Sequence, residues 1–289
     1  MMKALEYSKA LIEKVQKRTD IIFAIHPLHY KGGDYELLRI VSADIHAGDR
    51  VILIRAGIHG DEIAGPETIL DHLDEIVDRA HRRELKVIIY PLGNPSGFEN
   101  GLRYNIDGDK GDEEIGNNDF CRYVLSDGKV VDDLVDGFEF ESFRWSSDVG
   151  GRLAEETRVM HELLKQEPWS QVSACIDLHQ DYIHENGRAG PAAYHYAFGD
   201  LGRYAAVVAE IKKIIPLLVN ETVGSGEVGA IKTDENGFIV RHEGSLPALF
   251  VLLGAEHGIT VETTGSTPSV VADAVNMAWI SGIIDLVSA

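Results

Sequence analysis

The sequence predicts an α/β fold, and three observations carry the prediction. Strand-like and helix-like segments alternate along the chain, the signature of mixed sheet-and-helix layers. Two short apolar runs, Val51-Ile52-Leu53-Ile54 and Leu85 to Tyr90, have the composition of strands buried on both faces. A chain of 289 residues with 44% apolar and 26% charged residues can bury a sizeable core, which excludes a disordered or fibrous chain.

The elements follow in order. Lys3 to Lys17 forms an amphipathic helix with Leu5, Leu11, Ile12 and Val15 as apolar positions. After the strand at Val51, a turn from Gly57 to Gly60 leads into a helix reaching about Asp78, carrying Ile63, Ile69, Leu70, Leu73, Ile76 and Val77. The strand Leu85 to Tyr90 is closed by Pro91 and the turn-rich Gly93-Asn94-Pro95-Ser96-Gly97. A helix over Arg152 to Gln166 precedes the apolar strand Val172 to Leu178, which ends at His179. Leu201 to Val219 is helical with a break at Pro216. Leu249 to Leu253 and Gly258 to Glu262 read as strands, and Val270 to Val287 as a closing helix. There is no repeat and no convincing linker, so the expectation is one domain over 1–289. An acidic insertion, rich in Asp, Glu and Gly, occupies about 107–148 and reads as a long solvated or functional loop.

Charge narrows the partners. The 27 Lys and Arg against 47 Asp and Glu leave a net charge of −20. A field of that sign repels phosphate backbones and anionic lipid, so neither nucleic acid nor a membrane surface is expected as partner. Cys121 and Cys175 form no CxxC pair and read as buried thiols. The N-terminus lacks a signal-type apolar stretch, and no segment is expected to supply the ~18 apolar residues of a membrane span. The expected location is the cytoplasm.

His59-Gly60-Asp61-Glu62 contains the spacing His-x-x-Glu, in which a tight turn lets an imidazole and a carboxylate converge on one ion such as Zn²⁺. The spacing is weak alone, since His72-x-x-Glu75 and His81-x-x-Glu84 share it on the following helix. His59 and Glu62 differ by following a buried strand directly, where open α/β sheets gather ligands. His179, at the end of another apolar strand, is the candidate third ligand. Glu262 is either a strand-end surface glutamate or a general base, and Arg103 either a surface arginine or a cation for a developing oxyanion.

The order of these pieces resembles the zinc carboxypeptidases of the carboxypeptidase A type and their relatives, the succinylglutamate desuccinylase/aspartoacylase group. The matching segments are Gly57-Ile58-His59-Gly60-Asp61-Glu62, Asn94-Pro95-Ser96-Gly97, Arg103-Tyr104-Asn105, Asn117-Asn118-Asp119-Phe120, Asp177-Leu178-His179 and Val261-Glu262-Thr263. The resemblance implies a three-layer α/β/α sandwich on a mixed, mostly parallel sheet of about eight strands. It implies one catalytic zinc held by His59, Glu62 and His179, with Glu262 as general base and Arg103 polarising the scissile carbonyl. A second metal beside Asp177, Asp181 or His184 is not favoured, and Asp177 reads equally well as a residue that orients a ligand imidazole.

Two departures bear on the substrate. The family's Asn-Arg pair, whose arginine grips a terminal carboxylate, is Asn117-Asn118 here, so the expected substrate-binding set is Asn117, Asn118 and Arg122. Either Arg122, Arg144 or Arg241 supplies the missing cation, or the substrate is not an ordinary C-terminal residue. The family's tyrosine before the catalytic glutamate is also missing, for no tyrosine follows Tyr204. The expected activity is a zinc-dependent metallohydrolase of amide or peptide bonds, metallocarboxypeptidase-like, acting on a small peptide. The alternatives are an N-acyl-amino-acid amidohydrolase of the desuccinylase/aspartoacylase type and a non-catalytic metal-binding module.

Overall fold

The two apolar runs become neighbouring parallel strands at the centre of an eight-stranded sheet. The structure is a computed structural model that describes residues 2–111, 116–134, 140–181, 190–198, 200–223, 231–239 and 242–288. Helix α1 (Ala4–Val15) leads into the antiparallel hairpin β1 (Ile21–Tyr30) and β2 (Gly33–Ser42). Then come β3 (Arg50–Ala56), α2 (Ala64–Arg82), β4 (Leu85–Tyr90) and α3 (Pro95–Asn100). The middle of the chain holds β5 (Cys121–Leu125), β6 (Val130–Val131), β7 (Asp133–Leu134), β8 (Phe140–Trp145), α4 (Ser146–Val149) and α5 (Glu155–Leu164). It continues through β9 (Val172–Leu178), β10 (Ala193–Phe198), α6 (Ala205–Ile214) and the short β11 (Thr222–Val223) and β12 (Ile231–Lys232). The last elements are β13 (Phe238–Ile239), β14 (His242–Glu243), α7 (Leu246–Leu252), β15 (His257–Thr263) and α8 (Ser269–Ser288).

The sheet order is β1-β2-β4-β3-β9-β15-β10-β13. Its centre, β4-β3-β9-β15, is parallel, while the hairpin joins β4 and β10 joins β15 in antiparallel fashion. Alternate residues of the central strands feed two cores, because successive strand side chains point to opposite faces. Ile52, Ile54, Val87, Ile89 and Ile176 pack with α1, α2, α6 and α8; Val51, Leu53, Ile88, Tyr90 and Cys175 pack with α5 and α7. This is the three-layer α/β/α arrangement on a mixed sheet that the resemblance implies.

Four points differ from the expectation. Leu249 to Leu253 lies largely in α7: a short apolar run fits a buried helix as well as a strand, and Ser245 followed by Leu246-Pro247 starts a helix. The hairpin β1–β2 went unread because only one of its faces is well covered, leaving Ile22 and Ile25 exposed on the edge strand. The segment 107–148 is not simply a loop: β6-β5-β8 form a small antiparallel sheet, and Phe120, Cys121 and Tyr123 are buried in the second core. One helix among the described residues, α8, is long and apolar enough to cross a membrane, against the expectation of none. Here its Val275, Trp279, Ile280, Ile283 and Ile284 are buried in the first core.

Candidate metal centre

Beyond Ala56 the chain turns through Gly57, whose φ of +63° is a left-handed conformation that suits glycine. Gly60 approaches the next loop so closely that a Cβ would stand 2.2 Å from the Gly97 carbonyl carbon and 2.3 Å from the Phe98 nitrogen. Backbone bonds fix the approach, Asn94 N donating to Gly57 O (2.7 Å) and Gly60 N to Arg103 O (3.1 Å). Asn94 Oδ1 caps α3 by accepting from Gly97 N (2.9 Å), while its Nδ2 donates to Arg103 O (3.2 Å). The glycine turn and the Asn-Pro-Ser-Gly loop thus form one platform.

On that platform stand His59 and Glu62, and β9 delivers His179 to them. One ligand atom from each of the three lies within 4.8 Å of the others, and all three residues are buried. Glu62 uses both oxygens: Oε1 is 2.8 Å from His59 Nδ1, and Oε2 is 2.9 Å from His179 Nδ1. The two Nδ1 atoms are 3.2 Å apart. Arg103 Nη1 donates to Glu62 Oε1 (2.8 Å), and the backbone Gln180 N–H to Oε2 (3.2 Å). His179 N donates to Val261 O (2.9 Å), which places Glu262 beside the cluster, its Oε1 3.9 Å from His179 Nδ1. No other grouping of three potential ligands occurs among the described residues.

The electrostatics follow from burial and mutual charge. Burial, with help from Arg103, lowers the His59 pKa to about 4. Burial disfavours charge on His179 too, but Asp177 and Glu62 outweigh it and raise its pKa. Burial would raise Glu62, yet the two histidines hold it well below the carboxylate range. Burial and the neighbouring Glu62 charge push Asp61 up to about 6, against the pull of Arg103.

The other expected residues are used differently. Asn117 is fully buried, its Nδ2 donating to the Ile58 carbonyl and to Glu156 Oε1 (3.1 Å). Asn118 Oδ1 accepts from Arg55 Nη2. Arg122 is buried in an ion pair with Asp119, beside Ser146, and lies across the strand pair from the exposed Arg144. Arg241 and His184 lie outside the described residues. Asp181 accepts from the Tyr194 hydroxyl (2.7 Å). His72 pairs with Glu75 and Asp273 on a partly exposed face, and His81 with Asp20 and Ser42, so neither repeat of the spacing builds a cluster.

Arg55 was missed. It is fully buried at the end of β3, donates from Nε to Asp177 Oδ1 (3.0 Å) and from Nη2 to Oδ2, and stacks over Phe120 at 4.9 Å. A cation closing an apolar strand run was the available signal, since a buried guanidinium requires a partner. Glu156 was missed as well, because nothing in its helical neighbourhood separates it from a surface glutamate.

Residues 48–120 match the family of the succinylglutamate desuccinylase/aspartoacylase catalytic domain, a span that contains His59, Glu62, Arg103 and the two asparagines. No curated protein matches the chain by sequence. Among solved structures, the chain is similar to a presumptive metallopeptidase of Shewanella amazonensis, with a TM-score of 0.69 at 20% identity over 98% of this chain and 92% of that one. It is also similar to a metallo-carboxypeptidase of Burkholderia cenocepacia, with a TM-score of 0.59 at 13% identity over 98% and 68% of the two chains. A metallo-carboxypeptidase of Pseudomonas aeruginosa, solved with (2-guanidinoethylmercapto)succinic acid, gives 0.53 at 14% identity over 98% and 68%. At these identities the likeness establishes a carboxypeptidase-like fold.

Proposed function

We propose that this chain is a metal-dependent hydrolase of amide bonds, with zinc as its ion. The observation that supports this reading is the convergence of His59, Glu62 and His179 with the Glu262 carboxylate alongside. The donor set fits the ion. Two imidazoles and a carboxylate are donors that suit zinc, and one ligand atom from each of the three buried residues lies within 4.8 Å of the others. Two imidazoles and one carboxylate are three protein ligands of the catalytic type, leaving a position for water or substrate.

Bound there, the ion supplies Lewis acidity and lowers the pKa of water towards ~7. The chain's own groups do the rest. Glu262 takes a proton from the attacking water and returns it to the leaving amine. Arg103, fixed by its ion pair with Glu62, presents its guanidinium to the oxyanion that develops on the acyl carbon. Gln180 N–H and both histidines hold Glu62 from turning away.

Zinc content of about one ion per chain, with loss of roughly 10²–10⁴ in kcat for Glu262→Gln at unchanged zinc content, is the expected result on N-acyl dipeptides. Full turnover by a zinc-replete Glu262→Gln protein removes the proposed base.

A further inference from the structure

The backbone on both sides of His59 is held by other segments, and both holds lead to one carboxyl outside the ligand cluster. Before His59 in the chain, the Ile58 carbonyl accepts from Asn117 Nδ2. After it, Gly60 N donates to the carbonyl of Arg103 (3.1 Å), whose guanidinium pairs with Glu62. Asn117 Nδ2 also donates to Glu156 Oε1 (3.1 Å), while Asn105 Nδ2, just past Arg103, donates to Glu156 Oε2 (2.9 Å). The next residue of α5, Thr157, donates from Oγ1 to the Asn117 carbonyl. Glu156, Asn105 and Asn117 are all fully buried.

Packing alone gives no reason for a carboxyl there. A carboxyl is costly to bury, and the partners of Glu156 among the described residues are neutral amides rather than a cation. Met160 and Leu164, further along the same buried face of α5, show that apolar side chains fit that layer. What Glu156 adds is two acceptor oxygens, one for each of two separate segments. Asn105 cannot turn its amide round freely, because its Oδ1 already accepts from Asp107 N and Asp109 N (both 3.1 Å). Without the carboxyl, Asn105 Nδ2 becomes a buried donor lacking an acceptor, and the segment must shift to find one, carrying Arg103 with it. We propose that Glu156 is a positioning residue for the metal centre, joining the Asn105 and Asn117 segments so that His59 and Arg103 stay set against Glu62. It touches neither ion nor substrate, and its role rests on the metal-dependent hydrolase reading above.

The test compares the full chain with its Glu156→Leu and Glu156→Gln variants, each held below its own melting temperature. Chelator competition reads zinc affinity, and turnover of N-acyl dipeptides at saturating zinc reads kcat and KM separately. Glu156→Leu is expected to weaken zinc binding by about tenfold or more and to lower kcat by a similar factor at unchanged KM. Glu156→Gln keeps one acceptor oxygen and is expected to recover part of both losses. A residue that only supports the fold would lower the melting temperature and leave the zinc affinity of the folded protein as it was; that result, or a loss confined to KM, overturns the proposal. So does a Gln variant no better than Leu, since packing rather than the accepted bonds would then set the position. If the Leu variant does not fold, Gln is read against wild type: weaker zinc binding supports the proposal and equal binding overturns it. Zinc affinity also separates the two readings, for weakened binding in the variants of a protein that cleaves none of these compounds defeats the hydrolase reading and leaves the positioning of His59 standing.

Discussion

The Asp177 carboxylate stands 3.0 Å from His179 Nε2 while ion-paired to the buried guanidinium of Arg55. Arg55 and His179 together hold Asp177 ionised, well below the usual carboxylate range, although burial pushes the other way. The carboxylate fixes which imidazole nitrogen of His179 faces Glu62 and makes that nitrogen a better donor to a cation. Asp177→Asn is therefore expected to weaken zinc affinity by about 10–100-fold. Competition against a chelator of known affinity measures it, and an unchanged dissociation constant contradicts the orienting role.

Arg55 carries a different cost. Removing one member of a buried ion pair strands the other, so Arg55→Leu is expected to destabilise the protein by about 3–5 kcal/mol. Urea unfolding gives the value. A loss under ~1 kcal/mol, the range of exposed pairs, is inconsistent with the burial of both partners.

Gly60 has no room for a side chain. A methyl group would meet Gly97 and Phe98 backbone atoms within 2.5 Å, and backbone cannot rotate aside. Gly60→Ala is expected to cost about 1–3 kcal/mol and to lower zinc affinity, because relief requires moving the turn that carries His59 and Glu62. Thermal melts with and without zinc test both parts; a variant matching wild type in each would show that the turn yields freely.

Glu156 links the segments that carry Asn105 and Asn117, accepting from Asn105 Nδ2 (2.9 Å) and Asn117 Nδ2 (3.1 Å). Burial raises its pKa to about 7, the asparagine bonds only partly opposing it. The folded protein therefore holds this proton more tightly than the unfolded chain. The Glu156 contribution to stability is complete below the unfolded carboxyl value and is lost as pH rises through about 7. The shift corresponds to roughly 3 kcal/mol between pH ~4.5 and ~7. Glu156→Gln removes this titration, so the stability difference between wild type and variant is expected to change over that window. A constant difference from pH 5 to 8 would rule the shift out.

Binding of zinc to the folded chain alone is expected to raise stability by about 2.7 kcal/mol at a hundred times the dissociation constant, and chelation to reverse it. Melting temperature as a function of zinc concentration checks this, and a flat response argues against a site formed on folding.

The sequence alone determined the layered α/β class, most of the central elements and the identity of the three converging side chains. Apolar runs mark β3, β4 and β9 because strands covered on both faces need apolar side chains at most positions. His59, Glu62 and His179 stood out because each lies at or just past such a strand's end. Periodicity could not settle α7 or the half-exposed hairpin, where either conformation buries similar surface. Only the tertiary structure decided the rest, since partners far apart in the chain set each side chain's role. Arg55 meets Asp177 and Asn118 across 122 and 63 residues, and Asn117 meets Ile58 across 59. Burial then removes water as the alternative partner, so a group that sequence leaves free to face substrate is bound inward instead.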